Sequence, residues 1–311
     1  MIKVYKFNNE ILKNKFFVKN KEESYVFFIH CTKDYYEYFF TTIFSILKNT
    51  NKNIEIISFF ADYDKDKFFY FKNKIKDFDE RIDFHIFEIQ KNVLSEKWII
   101  KNFIDRYSRF LMFHKYFHSL QNAVYIDCDT IVNSDIYLKM KEIELSLKKG
   151  KKEDFAIFCV KDISLHLESC FFDFSFSSSI CKHSSFNDIS LGNLHIYEYI
   201  KKYLKINPDN YFNFGFFYIS NFESFNLDEI KKIIEKDFAI LDQDIGNLLF
   251  NNKVYYLDET FNFPILAYEY LKNFLLKEKK SYYECFIYQS LQNCKITNEF
   301  IKKHLTPPLF I

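Results

Sequence analysis

Residues 123–132 read Ala-Val-Tyr-Ile-Asp-Cys-Asp-Thr-Ile-Val, so an apolar run ends in two carboxylates two positions apart. A strand has a side-chain period of two, which predicts that Asp127 and Asp129 emerge on one face at its end while Cys128 turns the other way. Two hard oxygen ligands at the lip of a buried strand suit Mg²⁺ or Mn²⁺ shared with a phosphate-bearing substrate. The chemistry this implies is group transfer on a nucleotide or a phosphate ester.

Asp-x-Asp also occurs at Asp62/Asp64, Asp64/Asp66, Asp77/Asp79 and Asp242/Asp244, so the spacing alone is weak evidence. Asp62 to Asp66 and Asp77 to Asp79 lie in polar runs of mixed charge that read as solvated loops. Of these pairs, Asp127/Asp129 follows an apolar strand, and its structural alternative is a strand-end turn cap.

Arginine is scarce: of the 43 basic residues only Arg81, Arg106 and Arg109 are arginines. Arg106 and Arg109 fall one helical turn apart just ahead of the aspartate strand. A guanidinium forks phosphate or carboxylate with a fixed geometry that lysine lacks, which makes Arg109 a candidate phosphate or sugar contact. The competing reading is a helix-surface ion pair with Asp105.

These side chains need a scaffold, and 311 residues are enough for one large domain with a full core. The 43 basic and 42 acidic residues leave a net charge of +1, so no global field points to nucleic acid. Aromatic residues make up 21% of the chain while Gly and Pro number four each, a composition that resembles the coding bias of an AT-rich genome. The Phe excess therefore reads as core. Seven cysteines, an odd number with no Cys-x-x-Cys, fit reduced thiols in a cytosolic protein. No signal peptide and no 18-residue apolar stretch is legible, so a soluble intracellular protein is expected.

Strands are predicted over residues 25–29, 54–60, 82–89, 155–160 and 213–221, and helices over 36–48, 66–76, 98–117, 227–236 and 241–250. Residues 173–190 are Ser-rich and read as a loop. Alternating strands and helices over the first 135 residues imply a mostly parallel sheet whose ligands sit beyond the strands' carboxyl ends. Asp127 and Asp129 fall there. No phosphate-binding glycine loop occurs, which argues against P-loop NTPases and dinucleotide dehydrogenases. His114 and His118 have a zinc-pair spacing but carry Lys115 where a metalloprotease needs glutamate, and Cys170, Cys181 and His183 match no common zinc template.

Four ordered segments resemble glycosyltransferase family 8, the retaining GT-A enzymes that include bacterial lipopolysaccharide galactosyl- and glucosyltransferases and glycogenin. They are Ser108-Arg109-Phe110, the strand with Asp127 and Asp129, the run from Tyr211 to Ser220, and Leu241-Asp-Gln-Asp-Ile-Gly-Asn247; Phe261 to Pro264 is similar to a fifth. The likeness spans roughly residues 25 to 270. It implies an α/β GT-A fold with a Rossmann-like, mostly parallel central sheet flanked by helices. The domain would cover residues 21–270, after an N-terminal extension over 1–20 and before a C-terminal tail over 271–311.

By that resemblance Asp127 and Asp129 would hold Mn²⁺ or Mg²⁺ against the diphosphate of a UDP-sugar, and Tyr35 would pack on the uracil ring. Arg109, Asn213 and Asp242 would contact the donor sugar, and Gln243 would lie beneath the reacting anomeric carbon. The chain departs from the family at Thr32, where Asp is usual and Asp34 follows two residues on. It departs again in the tail, where Gln289 stands in place of a metal-binding histidine and Lys295 keeps the lysine spacing.

The implied function is transfer of galactose or glucose from UDP-hexose to a glycan or lipid-linked glycan acceptor in lipooligosaccharide or lipopolysaccharide assembly. The setting would be the cytoplasm, with the Lys- and aromatic-rich tail as a peripheral contact at the inner membrane. The alternatives are a non-catalytic nucleotide-sugar binder and, from the likeness of residues 127–131 to haloacid-dehalogenase-like enzymes, a metal-dependent phosphatase with Asp127 as nucleophile.

Overall fold

The computed structural model describes residues 2–7, 24–60, 62–89, 109–113, 122–149, 155–162, 200–220, 241–258 and 261. Among the described residues eight strands form one sheet: β1 (Ile2–Phe7), β2 (Ser24–His30), β3 (Asn53–Phe60), β4 (Ile82–Ile89), β5 (Val124–Asp127), β6 (Ile157–Lys161), β7 (Phe212–Ile219) and β8 (Val254–Leu257). Their order is β1-β4-β3-β2-β5-β7-β6-β8. β1 to β5 pair in parallel and β7 joins β5 antiparallel, so the sheet is the mostly parallel one expected. The α-helices among the described residues are α1 (Tyr36–Asn49), α2 (Lys65–Lys72), α3 (Ile136–Lys149) and α4 (Leu241–Leu249). Two compact units are woven from this chain. One comprises residues 1–159, 214–236 and 252–255, the other 160–213, 237–251 and 256–311.

In the first unit β2 lies between β3 and β5, and its near-continuous apolar run is what a strand covered on both faces requires. Among the described residues Phe goes mostly to the core: Phe39 and Tyr36 from α1 pack edge-on against Phe60 of β3, and Phe68 of α2 against Phe84 of β4. α2 opens on Asp64, whose carboxylate accepts from the Lys67 amide at 3.0 Å, and Asp62 accepts from the Lys33 amide. Those aspartates are spent on turns. The helix expected over 66–76 stops at Lys72 and tightens into 3-10 geometry over Asn73–Arg81, where Ile75 leaves helical dihedrals.

Three elements escaped the sequence reading. Residues 2–7, set within the expected extension over 1–20, form β1, an edge strand in register from Ile2 opposite Phe84 to Phe7 opposite Ile89. Tyr5 holds it there, stacking on Phe87 at 4.8 Å and reaching His85, which in turn bonds the buried Glu55 at 2.6 Å. Val4 is half exposed and Lys3 and Lys6 are exposed, so the edge lacks the inward-outward contrast that marks a covered strand. α3 is disguised because one of its three buried positions, Tyr137, Met140 and Glu144, is charged, while Leu138 and Leu145 face solvent. Glu144 is buried by virtue of its partners: the Tyr218 hydroxyl at 2.9 Å, the Ser220 hydroxyl at 2.8 Å and the Lys148 ammonium at 2.9 Å. β8, only four residues long, offers too short a pattern to read. The helix expected over 227–236, the loop over 173–190, most of the helix over 98–117 and the tail over 271–311 lie outside the described residues.

Candidate active site

Asp127 is the last residue of β5, opposite His30 in the parallel register with β2. Its Oδ1 accepts a 2.8 Å hydrogen bond from the Tyr125 hydroxyl, and the Arg109 guanidinium stands 3.4 Å away. Arg109 is reached through a short 3-10 turn over Arg109–Phe113 and is 9% exposed. The guanidinium also donates to the Phe214 carbonyl and lies 5.1 Å from the centre of the Tyr125 ring. Beneath it Tyr125 stacks on Phe217, Phe217 on Phe214 and Phe214 on Phe110. Arg109 is therefore seated on an aromatic floor and faces Asp127.

His30 keeps this corner free of a second positive charge. Its Nδ1 donates to the Phe59 carbonyl at 2.9 Å, which fixes the tautomer. Burial, with the Arg109 charge second, pushes its pKa down to about 3. The imidazole is neutral at ordinary pH.

Asp129 is exposed, and the period-two argument does not place it. β5 ends at Asp127, and Cys128 and Asp129 form a turn, so the second carboxylate is positioned by that turn and not by strand alternation. Three side chains of α1 anchor the segment. The Thr42 hydroxyl donates to the Cys128 carbonyl, the Ser45 hydroxyl accepts from the Val132 amide, and the Asn49 amide donates to the Val132 carbonyl. Positions 42, 45 and 49 share one face of a helix. Burial, with Asp127 and Asp129 adding to it, pushes the Cys128 thiol up to about 12.

Tyr35 closes a 3-10 turn over Lys33–Tyr35 just past β2; the residue is 49% exposed, and its ring lies 5.7 Å from that of Tyr38. Thr32 is the extended residue that starts this turn, and Asp34 is exposed beside the Lys67 ammonium at 3.7 Å. The candidates for base recognition are thus one short, accessible turn.

In the second unit Asp242 and Gln243 lie, half exposed, in the first turn of α4, where a helix favours negative charge. The Gln243 amide nitrogen donates to Asp162 Oδ2 at 2.5 Å. One residue along, Asp244 is fully buried and takes the Tyr211 hydroxyl at 2.5 Å. Asn247 completes the anchoring: its oxygen accepts from the Phe212 amide and its nitrogen donates to the Phe212 carbonyl, copying a strand-to-strand pairing. Asn213 follows on β7, half buried.

The sequence reading missed Asp162, Tyr211, Asp244, Asn247 and Tyr125. A signal existed for Asp162, which directly follows β6 and so obeys the strand-end rule that singled out Asp127. Tyr125 stands two positions before Asp127 on the same strand, so period two puts both on one face. For Tyr211, Asp244 and Asn247 the pairing was not legible, because the contacts to Asp244 and Asn247 come from residues 33 and 35 positions away.

The donor chemistry suits a hard divalent cation. Mg²⁺ and Mn²⁺ are held by one or two carboxylates together with substrate phosphates and water, and Asp127 with Asp129 would supply two carboxylates from positions two apart. Among the described residues no group of three or more His, Cys, Asp or Glu gathers into a fuller cage. Gln289, the third ligand expected from the resemblance, lies outside the described residues. Within them no helix is long and apolar enough to cross a membrane.

The model of glycosyl transferase family 8 matches residues 26–290. Among solved structures, the apo form of the bifunctional glycosyltransferase WbbM aligns with a TM-score of 0.53 and 21% identity, over 76% of this chain and 39% of that one. This chain therefore spans well under half the length of WbbM. The galactosyltransferase LgtC, in complex with donor and acceptor sugar analogues, aligns at 15% identity and a TM-score of 0.48 over 79% of this chain and 77% of its own. GlyE of Streptococcus pneumoniae TIGR4 aligns at 15% and 0.47 over 91% and 64%. No curated protein matches.

Proposed function

This chain belongs to glycosyl transferase family 8 and has the GT-A fold, and on that premise we propose that it transfers galactose or glucose from a UDP-hexose to a glycan acceptor with retention of configuration. The observation that carries the reading is Asp127, a partly exposed carboxylate at the carboxyl end of a buried strand, held by Tyr125 and Arg109, with Asp129 in the turn that follows.

Asp127 and Asp129 would hold Mn²⁺ or Mg²⁺, with Gln289 as a further oxygen ligand. When bound, the cation supplies Lewis-acid stabilisation to the charge that gathers on the departing diphosphate. Arg109 fixes the direction of the Asp127 carboxylate and adds positive charge next to it. Tyr35 offers its exposed ring to the uracil base, with Thr32 and Asp34 supplying polar groups from the same turn. Asp242 and Asn213 bind hydroxyls of the donor sugar. Gln243 turns an amide carbonyl toward the positive charge that develops at the anomeric carbon, supporting it without the strong nucleophilicity of a carboxylate, as front-face transfer with retention requires.

Lipooligosaccharide or lipopolysaccharide assembly at the cytoplasmic face of an inner membrane is the setting we assign, with a lipid-linked glycan as acceptor and residues 271–311 as the peripheral membrane contact. The test is a thermal-shift series with UDP, UDP-glucose and UDP-galactose, with and without Mn²⁺, followed by UDP release with glycan acceptors. Metal-dependent stabilisation by one UDP-hexose and acceptor-dependent UDP release are expected. Stabilisation without turnover would make the protein a binder, and phosphate release from simple esters would make it a phosphatase.

A further inference from the structure

We infer that Asp162 is a positioning residue that sets which end of the Gln243 side-chain amide faces the reacting sugar; the inference rests on the role proposed for Gln243. An amide has a donor end and an acceptor end of almost the same shape, and nothing in the side chain itself prefers one orientation. A buried carboxylate breaks that tie because an ionised carboxylate only accepts. Asp162 is 5% exposed, and its Oδ2 receives the Gln243 nitrogen at 2.5 Å. The Gln243 carbonyl oxygen must then point away from Asp162. That carbonyl end is the one able to support positive charge at an anomeric carbon, whereas the reversed amide would present N–H dipoles and oppose it.

The surroundings hold both partners still. Asp162 follows β6 directly, and its backbone amide bonds the Tyr211 carbonyl at 3.0 Å. Gln243 is fixed from the other side, since the Asn247 nitrogen donates to the Gln243 carbonyl of the main chain at 2.9 Å and to that of Phe212 at 2.8 Å. Tyr211 in turn grips Asp244, the residue after Gln243. The strand end that carries Asp162 and the helix turn that carries Gln243 are thus tied by side-chain and backbone bonds, all within one compact unit. Freezing the amide in the productive sense before the donor arrives removes a reorganisation step from the reaction.

The test substitutes Asp162→Asn, which keeps the shape but restores the choice of orientation, and measures UDP release with the preferred UDP-hexose. A fall in kcat of about tenfold or more is expected, with KM for the donor changed less than about twofold, because orientation affects the transition state more than ground-state binding. In a Gln243→Ala background the same substitution should have no further effect on kcat, since Asp162 acts through Gln243. In the protein with ¹⁵N-labelled glutamine, the Gln243 amide protons should resonate downfield of the other glutamines and move upfield in Asp162→Asn. Wild-type turnover with an unchanged kcat in Asp162→Asn, or an additive loss in the double variant, would overturn the positioning role alone. No turnover by the wild type with any UDP-hexose would sink the proposed function and this inference with it.

Discussion

The Thr42 hydroxyl donates a 2.6 Å hydrogen bond to the Cys128 carbonyl, 86 residues further along the chain. Helix α1 thereby reaches across and steers the turn that carries Asp129. Thr42→Val keeps the volume and removes the donor, at a cost of roughly 1 kcal/mol in stability. Its larger effect should be on Mn²⁺-dependent UDP binding, which is expected to weaken because the turn loses its tether. Isothermal titration of UDP with Mn²⁺ present, beside urea unfolding, separates the two. Binding as tight as wild type would show that the tether does not matter.

Asp129→Ala should abolish the metal-dependent part of UDP binding while changing stability by less than about 0.5 kcal/mol, as expected for an exposed side chain away from packing. Unaltered thermal stabilisation by UDP with Mn²⁺ in this variant would remove Asp129 from the site.

His30 predicts an acid-side loss of stability. Its folded-state pKa is lowered to about 3 from an ordinary 6.5, so below pH 6.5 the unfolded chain takes up a proton that the folded chain refuses. Stability must then fall as pH drops from about 6.5 toward 3. His30→Asn, whose amide nitrogen can still donate to the Phe59 carbonyl, should flatten the profile by roughly 2 kcal/mol between pH 7 and 5 in urea unfolding. Parallel profiles for wild type and variant would mean that His30 is not the group that titrates.

Asn247→Ala strips the Phe212 amide and carbonyl of their shared partner in a buried setting and should cost on the order of 2–4 kcal/mol. The denaturation midpoint in urea measures this directly. A loss below about 0.5 kcal/mol would show that water or another group replaces the amide without difficulty.

How much of this was legible follows from how local each signal is. β2 to β4 and α1 could be read because an apolar run or an amphipathic stripe is written in consecutive residues. The carboxylates at 127 and 129 were legible as a pair, and Arg109 stood out by rarity. The turn holding Asp129 was not, since a period-two rule gives no notice of where a strand stops. Asp162 could have been found by the strand-end rule, but its pairing with Gln243 could not, since the two lie 81 positions apart and neither residue advertises the other. Glu144 hid a whole helix, its charge reading as surface while Tyr218, Ser220 and Lys148 keep it inside.

β1 has a consequence for how the protein is made and handled. Ile2 must wait for Phe84 before it has anything to pair with, so β1 can join the sheet only once β4, about 80 residues further along, is in place. Until β1 joins, β4 shows a bare margin of Ile and Phe to every other molecule in solution. Clipping or blocking residues 2–7 would leave that margin open for good, and the first symptom would be clumping during expression, ahead of any change in chemistry.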